Sequence, residues 1–434
     1  MTASLYIHIP FCASLCDYCD FFSVPIKGIN TAENDVNVIN TFIDNFINNL
    51  LTDIEEQFAF FAVDHVPTVY IGGGTPSALG AARIEHLLAG IRALLKPMKG
   101  VIEEFTIEAN PESTDEAFLQ TCVSGGVSRI SLGVQTFHEP SRRAVRRLGN
   151  GDLVEQRLEL VTKYFPQAFS VDLITGLPFQ TRSIVAEDIK RALAFRPGHI
   201  SLYSLTLEPQ TPLGEQVMRH GEASLSLPCG DEADNLWITG RDMLEEAGLT
   251  QYEVSNFALP HKTCAHNIRY WRMENWLGAG PAASGTIIDD ETGTGRRFTY
   301  PPDIEGYIEK ISHTLSKRTR TGEGVFAKDL HSVGQVNVLY SQNGFRPLGT
   351  ESTEELNRDS LIRETLLMGF RYRGGPDPIS FRRRFGCGIE DLIPQTINRW
   401  RKRGFFDAEQ GGLAPSPNGL LFLNAFLRDA FGEV

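Results

Sequence analysis

Residues 6–19 read YIHIPFCASLCDYC, an apolar run of strand length that passes into a loop carrying three cysteines within eight residues, Cys12, Cys16 and Cys19. The other four, Cys122, Cys229, Cys264 and Cys387, are scattered along the chain. Three thiols on one short loop directly after a strand converge on a point at the strand's C-terminal end, and such a point binds metal. A structural zinc asks for a fourth ligand, and no Cys or His stands at the paired spacing that zinc modules use. Three ligands fit better to a [4Fe-4S] cluster with one open iron, because each iron takes a single thiolate. So odd and sparse a set of cysteines also argues against a disulfide framework.

Outward from this loop, short apolar runs recur at 4–9, 68–73, 104–109, 129–134, 170–175 and 199–204, with a further candidate strand at 251–256. Each ends in Gly, Pro, Asn or a polar cluster and gives way to a helical pattern. Their β-branched, nearly continuous apolar character is that of parallel strands buried on both faces. The clearest helix follows the cysteine loop, where Val36, Ile39, Phe42, Ile43, Phe46, Ile47, Leu50, Leu51 and Ile54 hold the spacing of one apolar face. Six such units predict an α/β fold, an incomplete (β/α)6 barrel over residues 1–260 with its functional groups at the C-terminal ends of the strands. Past residue 260 the pattern is irregular, with Gly and Pro clusters at 277–285 and 300–303, so 261–350 reads as a connecting region. A compact, mainly helical module follows at 351–434, with helices around Ser360 to Phe370 and Pro417 to Phe431, a basic helix end at 399–404 and a hairpin through 405–415.

The composition sets bounds on function. At 434 residues, 41% hydrophobic and 22% charged, the chain is a folded globular protein of one large domain with an appendage, or of two domains. The absence of any run of about 18 apolar residues, and of a basic, apolar leader, predicts a soluble cytoplasmic protein. A net charge of -13 argues against broad binding to nucleic acid or anionic lipid. Residues 351–434 hold 12 basic and 12 acidic residues, so Arg382 to Arg384 and the basic helix end read as solvated surface.

Further motifs stand where a barrel mouth puts ligand contacts. GGGTP (72–76) follows the second strand, and its glycines let backbone approach a ligand amino group closely. Glu108 closes the third strand, Gln135 follows the fourth, Arg147 lies twelve residues later and Asp172 ends the fifth. An amino acid joined to a ribose asks for carboxylates at its amine and hydroxyls and for a cation at its carboxylate. The Cys-x3-Cys-x2-Cys spacing with Tyr18 resembles the signature of the radical SAM superfamily, in which the open iron chelates S-adenosylmethionine. With YIHIPFC (6–12), the set looks like the oxygen-independent coproporphyrinogen III oxidase family over nearly the whole chain, including a small winged-helix-like C-terminal domain. The resemblance implies that Tyr6, Gly73, Gly74, Thr75, Glu108, Gln135, Arg147 and Asp172 contact S-adenosylmethionine.

That family divides. The coproporphyrinogen enzymes carry a fourth cysteine two residues after the third and a long segment ahead of the first strand; here Phe21 holds that position and eleven residues precede Cys12. Coproporphyrinogen dehydrogenase activity, driven by a 5′-deoxyadenosyl radical, is therefore expected to be absent, and a methyltransferase reading leaves the next motif without a role. HNIRYW (266–271) resembles the HNxxYW motif of the family's heme chaperones. It implies heme as ligand, His266 as its contact, and heme-accepting respiratory or storage proteins as recipients, met transiently where they are membrane proteins. An imidazole is a usual axial ligand and the aromatics can stack on the macrocycle. The same region is expected to cover or flank the barrel mouth. Just downstream the chaperones usually read YLGxGxGAHS, whereas this chain reads WLGAGPAASG (276–285), without that histidine.

Overall fold

The computed structural model describes residues 1–29, 36–321, 352–408 and 412–434. Six parallel strands form its centre: β1 (Ser4–Ile9), β2 (Thr68–Gly73), β3 (Glu104–Ala109), β4 (Arg129–Gln135), β5 (Phe169–Thr175) and β6 (His199–Ser204). Each leads to a helix: α1 (Val36–Phe60), α2 (Ala81–Leu95), α3 (Glu116–Ser124), α4 (Gly151–Tyr164), α5 (Arg182–Ala194) and α6 (Asp231–Glu246). The strands lie side by side in sequence order, as repeated β/α units dictate. Helix starts are set locally; Asp115, Asn150 and Thr181 each accept a hydrogen bond from an amide of the first turn.

Side chains alternate along each strand. Leu5, Ile7 and Ile9, Val69 and Ile71, Phe105 and Ile107, and Ile130 and Leu132 are buried with the α1 residues Ile43, Phe46, Ile47, Leu50 and Ile54 in one core. The intervening positions are polar. Ser4, His8, Thr68, Glu104, Thr106, Arg129, Ser131, Ser170, His199 and Ser201 are all buried. The barrel therefore has an apolar outer shell and a polar interior, where the near-continuous apolar reading had placed hydrophobic side chains on both faces.

The barrel is open. β6 pairs antiparallel with β8 (Asn256–Ala258), itself paired with β7 (Thr250–Gln251), so the single strand expected at 251–256 is a tight antiparallel pair. The segment after residue 260 is more ordered than its glycines announce. β9 (Trp276–Ala279) runs parallel to β1 on the side away from β2, and β10 (Ser284–Asp289), β11 (Thr294–Thr299) and β12 (Ser352–Leu356) extend the sheet antiparallel to twelve strands. Gly278 passes as a loop residue in sequence, yet a Cβ there would stand 2.3 Å from the Ser284 carbonyl oxygen, so it serves close backbone packing within the sheet. α1 holds this added sheet: Asp53 accepts from the Tyr300 hydroxyl at 2.6 Å and the Tyr307 hydroxyl at 2.7 Å.

α7 (Ala265–Trp271) and α8 (Ile304–Thr321) flank the sheet, and α9 (Arg358–Gly369), α10 (Pro378–Phe385), α11 (Pro394–Lys402) and α12 (Leu423–Phe431) make a helical C-terminal region. Its second core includes Phe370, Trp400, Phe405 and Phe426. The helix expected over 417–431 breaks at Leu421 and Phe422. The expected hairpin at 405–415 is a single bridge between Phe406 and Pro415, its tip at 409–411 lying outside the described residues, as do 322–350 of the connecting region. Among the described residues no helix is long and apolar enough to cross a membrane.

Candidate functional site

The C-terminal ends of all six parallel strands open into one cavity of about 450 Å³. Of the residues singled out in sequence, Cys12, Cys16, Cys19, Gly73, Gly74, Thr75, Glu108, Gln135, Arg147 and Asp172 line it; Tyr6 and His266 do not. Sequence reading missed Asn110, Ser131 and the run Tyr203 to Thr206, although the rule that strand ends carry the site points to the residues after β3 and β6.

The cysteine loop is seated by its backbone. The amide of Asp17 donates to the Val145 carbonyl at 3.1 Å, Leu213 donates to the Asp17 carbonyl at 2.8 Å, and the Asp17 carboxylate pairs with Arg146. The Gly74 and Thr75 amides donate to the carbonyls of Ile9 and Phe11, locking the glycine loop to the start of the cysteine loop. The glycines make room for the protein's own groups. A Cβ on Gly72 would lie 2.8 Å from the Glu108 carboxyl carbon, and Gly73, at φ +109°, donates its amide to Glu108 Oε2 at 3.1 Å. Gln135 takes φ +70° at an irregularity in the β4–β5 register, a conformation that costs about 1 kcal/mol in a non-glycine residue.

The charged groups here are partly or wholly shielded from water. Burial pushes Glu108 up to about 7, against hydrogen bonds from Tyr70 and Gly73 that pull it down, and burial also raises Asp172. Asp172 accepts from Ser131 at 3.0 Å and Ser170 at 3.1 Å. Burial raises Cys12 and takes Cys19 up to about 11, so these thiols carry their protons until a metal displaces them. No three Cys, His, Asp or Glu side chains among the described residues gather closely enough to hold one metal ion. A cluster asks instead for one thiolate per iron, with donors to the sulfurs, and both are present. Thr75 Oγ1 lies 3.4 Å from Cys12 Sγ and Arg147 Nη1 lies 3.6 Å from Cys16 Sγ. Arg147 also keeps a buried Nε without a partner among the described residues. The donor set fits a cluster with an amino-acid ligand beside it.

The HNIRYW segment forms α7 at the opposite end of the strands, not over the mouth. His266 is 7% exposed, and its Nδ1 lies 2.8 Å from Oγ1 of Thr68, the first residue of β2. The Thr68 hydroxyl donates onward to Ser4 Oγ at 2.8 Å, so the histidine must be the donor and carries its proton on Nδ1. That tautomer leaves the lone pair on Nε2, with the ring oriented through its other nitrogen by the Thr68 hydroxyl. Burial lowers His266 to about 4, and it is neutral at physiological pH. Glu104 caps α7, accepting from the Ala265 amide at 2.8 Å, the His266 amide at 3.2 Å and the Cys264 thiol at 3.1 Å. This accounts for Cys264 as a buried structural thiol. Tyr270 is 38% exposed, and Trp271 Nε1 is buried without a partner among the described residues.

A partly open barrel with three cysteines on its first loop defines a class, and the model of the radical SAM superfamily matches residues 6–192. The heme chaperone HemW of Lactococcus lactis is 32% identical over 91% of this chain and 88% of its own, and that of Bacillus subtilis is 28% identical over 99% and 100%. The fold is shared with the solved coproporphyrinogen III oxidase of Escherichia coli, at a TM-score of 0.73 and 20% identity over 99% of this chain and 89% of that one. The chain belongs to the HemW family of radical SAM proteins.

Proposed function

We propose that this protein is a heme chaperone that binds a [4Fe-4S] cluster through Cys12, Cys16 and Cys19, S-adenosylmethionine in the same cavity and heme through His266, and that it hands heme to acceptor proteins. The observation that carries the reading is the gathering of three thiols, the glycine loop, two carboxylates and a buried guanidinium around one cavity, in a chain of the HemW family. Glu108 and Asp172 would take the amine and ribose hydroxyls, Arg147 the carboxylate, and the Gly73–Thr75 backbone would close on the amino-acid end. Bound together, cluster and S-adenosylmethionine supply one-electron chemistry. His266 would ligate heme iron through Nε2 while Thr68 fixes its ring, and the low exposure of the imidazole means that α7 must move outward for a macrocycle to reach it. Phe21, 66% exposed at the cavity rim, holds the position where the coproporphyrinogen enzymes have a fourth cysteine. The protein is proposed to act in the cytoplasm and to meet membrane-bound acceptors transiently.

The test is anaerobic reconstitution, with iron and sulfide measured, followed by S-adenosylmethionine binding, heme titration and a coproporphyrinogen III assay on the same sample. Cluster, S-adenosylmethionine and heme binding without turnover is the expected result. Product formation that stops when S-adenosylmethionine is omitted would show a coproporphyrinogen dehydrogenase instead.

A further inference from the structure

Asn110 follows the last residue of β3, half-buried in the cavity wall, and touches groups on both sides of the cysteine loop. Its Oδ1 accepts from Arg147 Nη2 at 2.7 Å, and its Nδ2 donates to Thr75 Oγ1 at 2.8 Å. These contacts leave no choice of direction. A guanidinium only donates, so the amide oxygen must face Arg147 and the amide nitrogen must face Thr75. The Thr75 hydroxyl oxygen thus accepts a hydrogen bond from Asn110, and its own hydrogen is donated toward Cys12 Sγ, 3.4 Å away. On the other arm Asn110, together with the Gly133 carbonyl, holds the guanidinium whose Nη1 reaches Cys16 Sγ at 3.6 Å. Asn110 is itself pinned through its backbone, whose N–H donates to Ser77 Oγ at 3.1 Å and whose carbonyl accepts from Thr114 Oγ1 at 2.8 Å. Gly133 opens the space: a Cβ there would stand 2.7 Å from Asn110 Oδ1 and 3.2 Å from Arg147 Nη2.

We propose that Asn110 is a positioning residue for the iron-sulfur centre: by orienting Thr75 and Arg147 it directs a hydrogen-bond donor onto each of two cysteine sulfurs and raises the cluster's reduction potential. This rests on the reading that Cys12, Cys16 and Cys19 hold the cluster. Reduction adds negative charge that spreads onto the thiolates, and donors to those sulfurs stabilise the reduced form more than the oxidised one.

The test is a redox titration of the reconstituted protein without S-adenosylmethionine, followed by EPR of the reduced cluster. The set is wild type, Asn110→Ala, Thr75→Val, Thr75→Ser and the double variant Asn110→Ala/Thr75→Val, each normalised to bound iron. Asn110→Ala and Thr75→Val should shift the midpoint to more negative potential. Thr75→Ser, which keeps the hydroxyl, should stay near wild type. The double variant should shift by less than the sum, because both substitutions act through the Thr75 donor, one by removing it and the other by freeing its orientation. A wild-type midpoint in Asn110→Ala at full iron content overturns the proposal, as does strict additivity. Should Asn110→Ala fail to take up iron, equal midpoints in Thr75→Val and Thr75→Ser overturn it just as well. A wild-type protein that takes up no cluster, or a cluster that survives Cys16→Ala, refutes the underlying reading and the proposal with it.

Discussion

The two ends of the barrel are both polar and are built on opposite terms. At the mouth, thiols, carboxylates and a guanidinium surround a cavity of about 450 Å³. At the floor, Glu104 takes three donors from the start of α7, and His266, Thr68 and Ser4 form a chain. The mouth gathers its polar groups around one cavity, whereas at the floor the imidazole of His266 is tied into a hydrogen-bonded chain that must open before it can be reached. Proposed ligands of the two ends should therefore be separable by mutation and should respond differently to pH.

The strongest break in this comparison comes from the cysteines. Cys16→Ala, like Cys12→Ala and Cys19→Ala, should abolish cluster iron, sulfide and visible absorbance while heme binding persists; Cys122→Ala and Cys387→Ala should keep full cluster content. At the other end, His266→Ala should weaken heme binding by about tenfold or more, equivalent to at least about 1.4 kcal/mol, and alter the Soret band, with cluster iron unchanged. Tyr270→Ala and Trp271→Ala should cost less, since each removes packing and not ligation.

Next in size is a contrast in pH. Glu108 is raised to about 7, so it is neutral below that pH and ionised above it. If its carboxylate serves the S-adenosylmethionine amine, affinity should be roughly tenfold lower at about pH 6 than at about pH 8, and Glu108→Gln should flatten the profile. His266, lowered to about 4, stays neutral over the same interval, so isothermal titration at the mouth should vary while the heme spectrum does not. The smallest effect belongs to Tyr70, whose hydroxyl donates to Glu108 at 2.8 Å and whose ring lies 5.2 Å from that of His266, between the two ends. Tyr70→Phe should lose about 1 kcal/mol in urea unfolding and move the Glu108 transition upward in pH.

The mouth was legible in sequence because parallel strands oblige it. Once six β/α units are recognised, residues at strand ends must converge, and ten of the twelve candidate residues do so. Tyr6 falls outside, its hydroxyl 3.1 Å from His8 Nδ1. The position of His266 was hidden for a different reason. Its partners Thr68, Ser4 and Glu104 begin strands far away in sequence, and nothing local to HNIRYW says which end of the barrel receives it. β9 to β11 were hidden by their glycines, which read as turns and serve as close contacts. The polar interior escaped because alternation within a buried strand resembles noise in an apolar run until the strands are set side by side.

β1 lies between β2 and β9, so one of its edges pairs with residues 69–73 and the other with 276–279. During synthesis the ribosome delivers the second partner some 270 residues after the strand that needs it. Until then the chain carries a parallel strand with an open edge, next to the loop that holds its cysteines. Such an edge is a template for pairing with other chains, and contacts of this sequence separation form slowly. The interval between making the cysteine loop and sealing the strand beside it is thus one in which the nascent protein is exposed to aggregation.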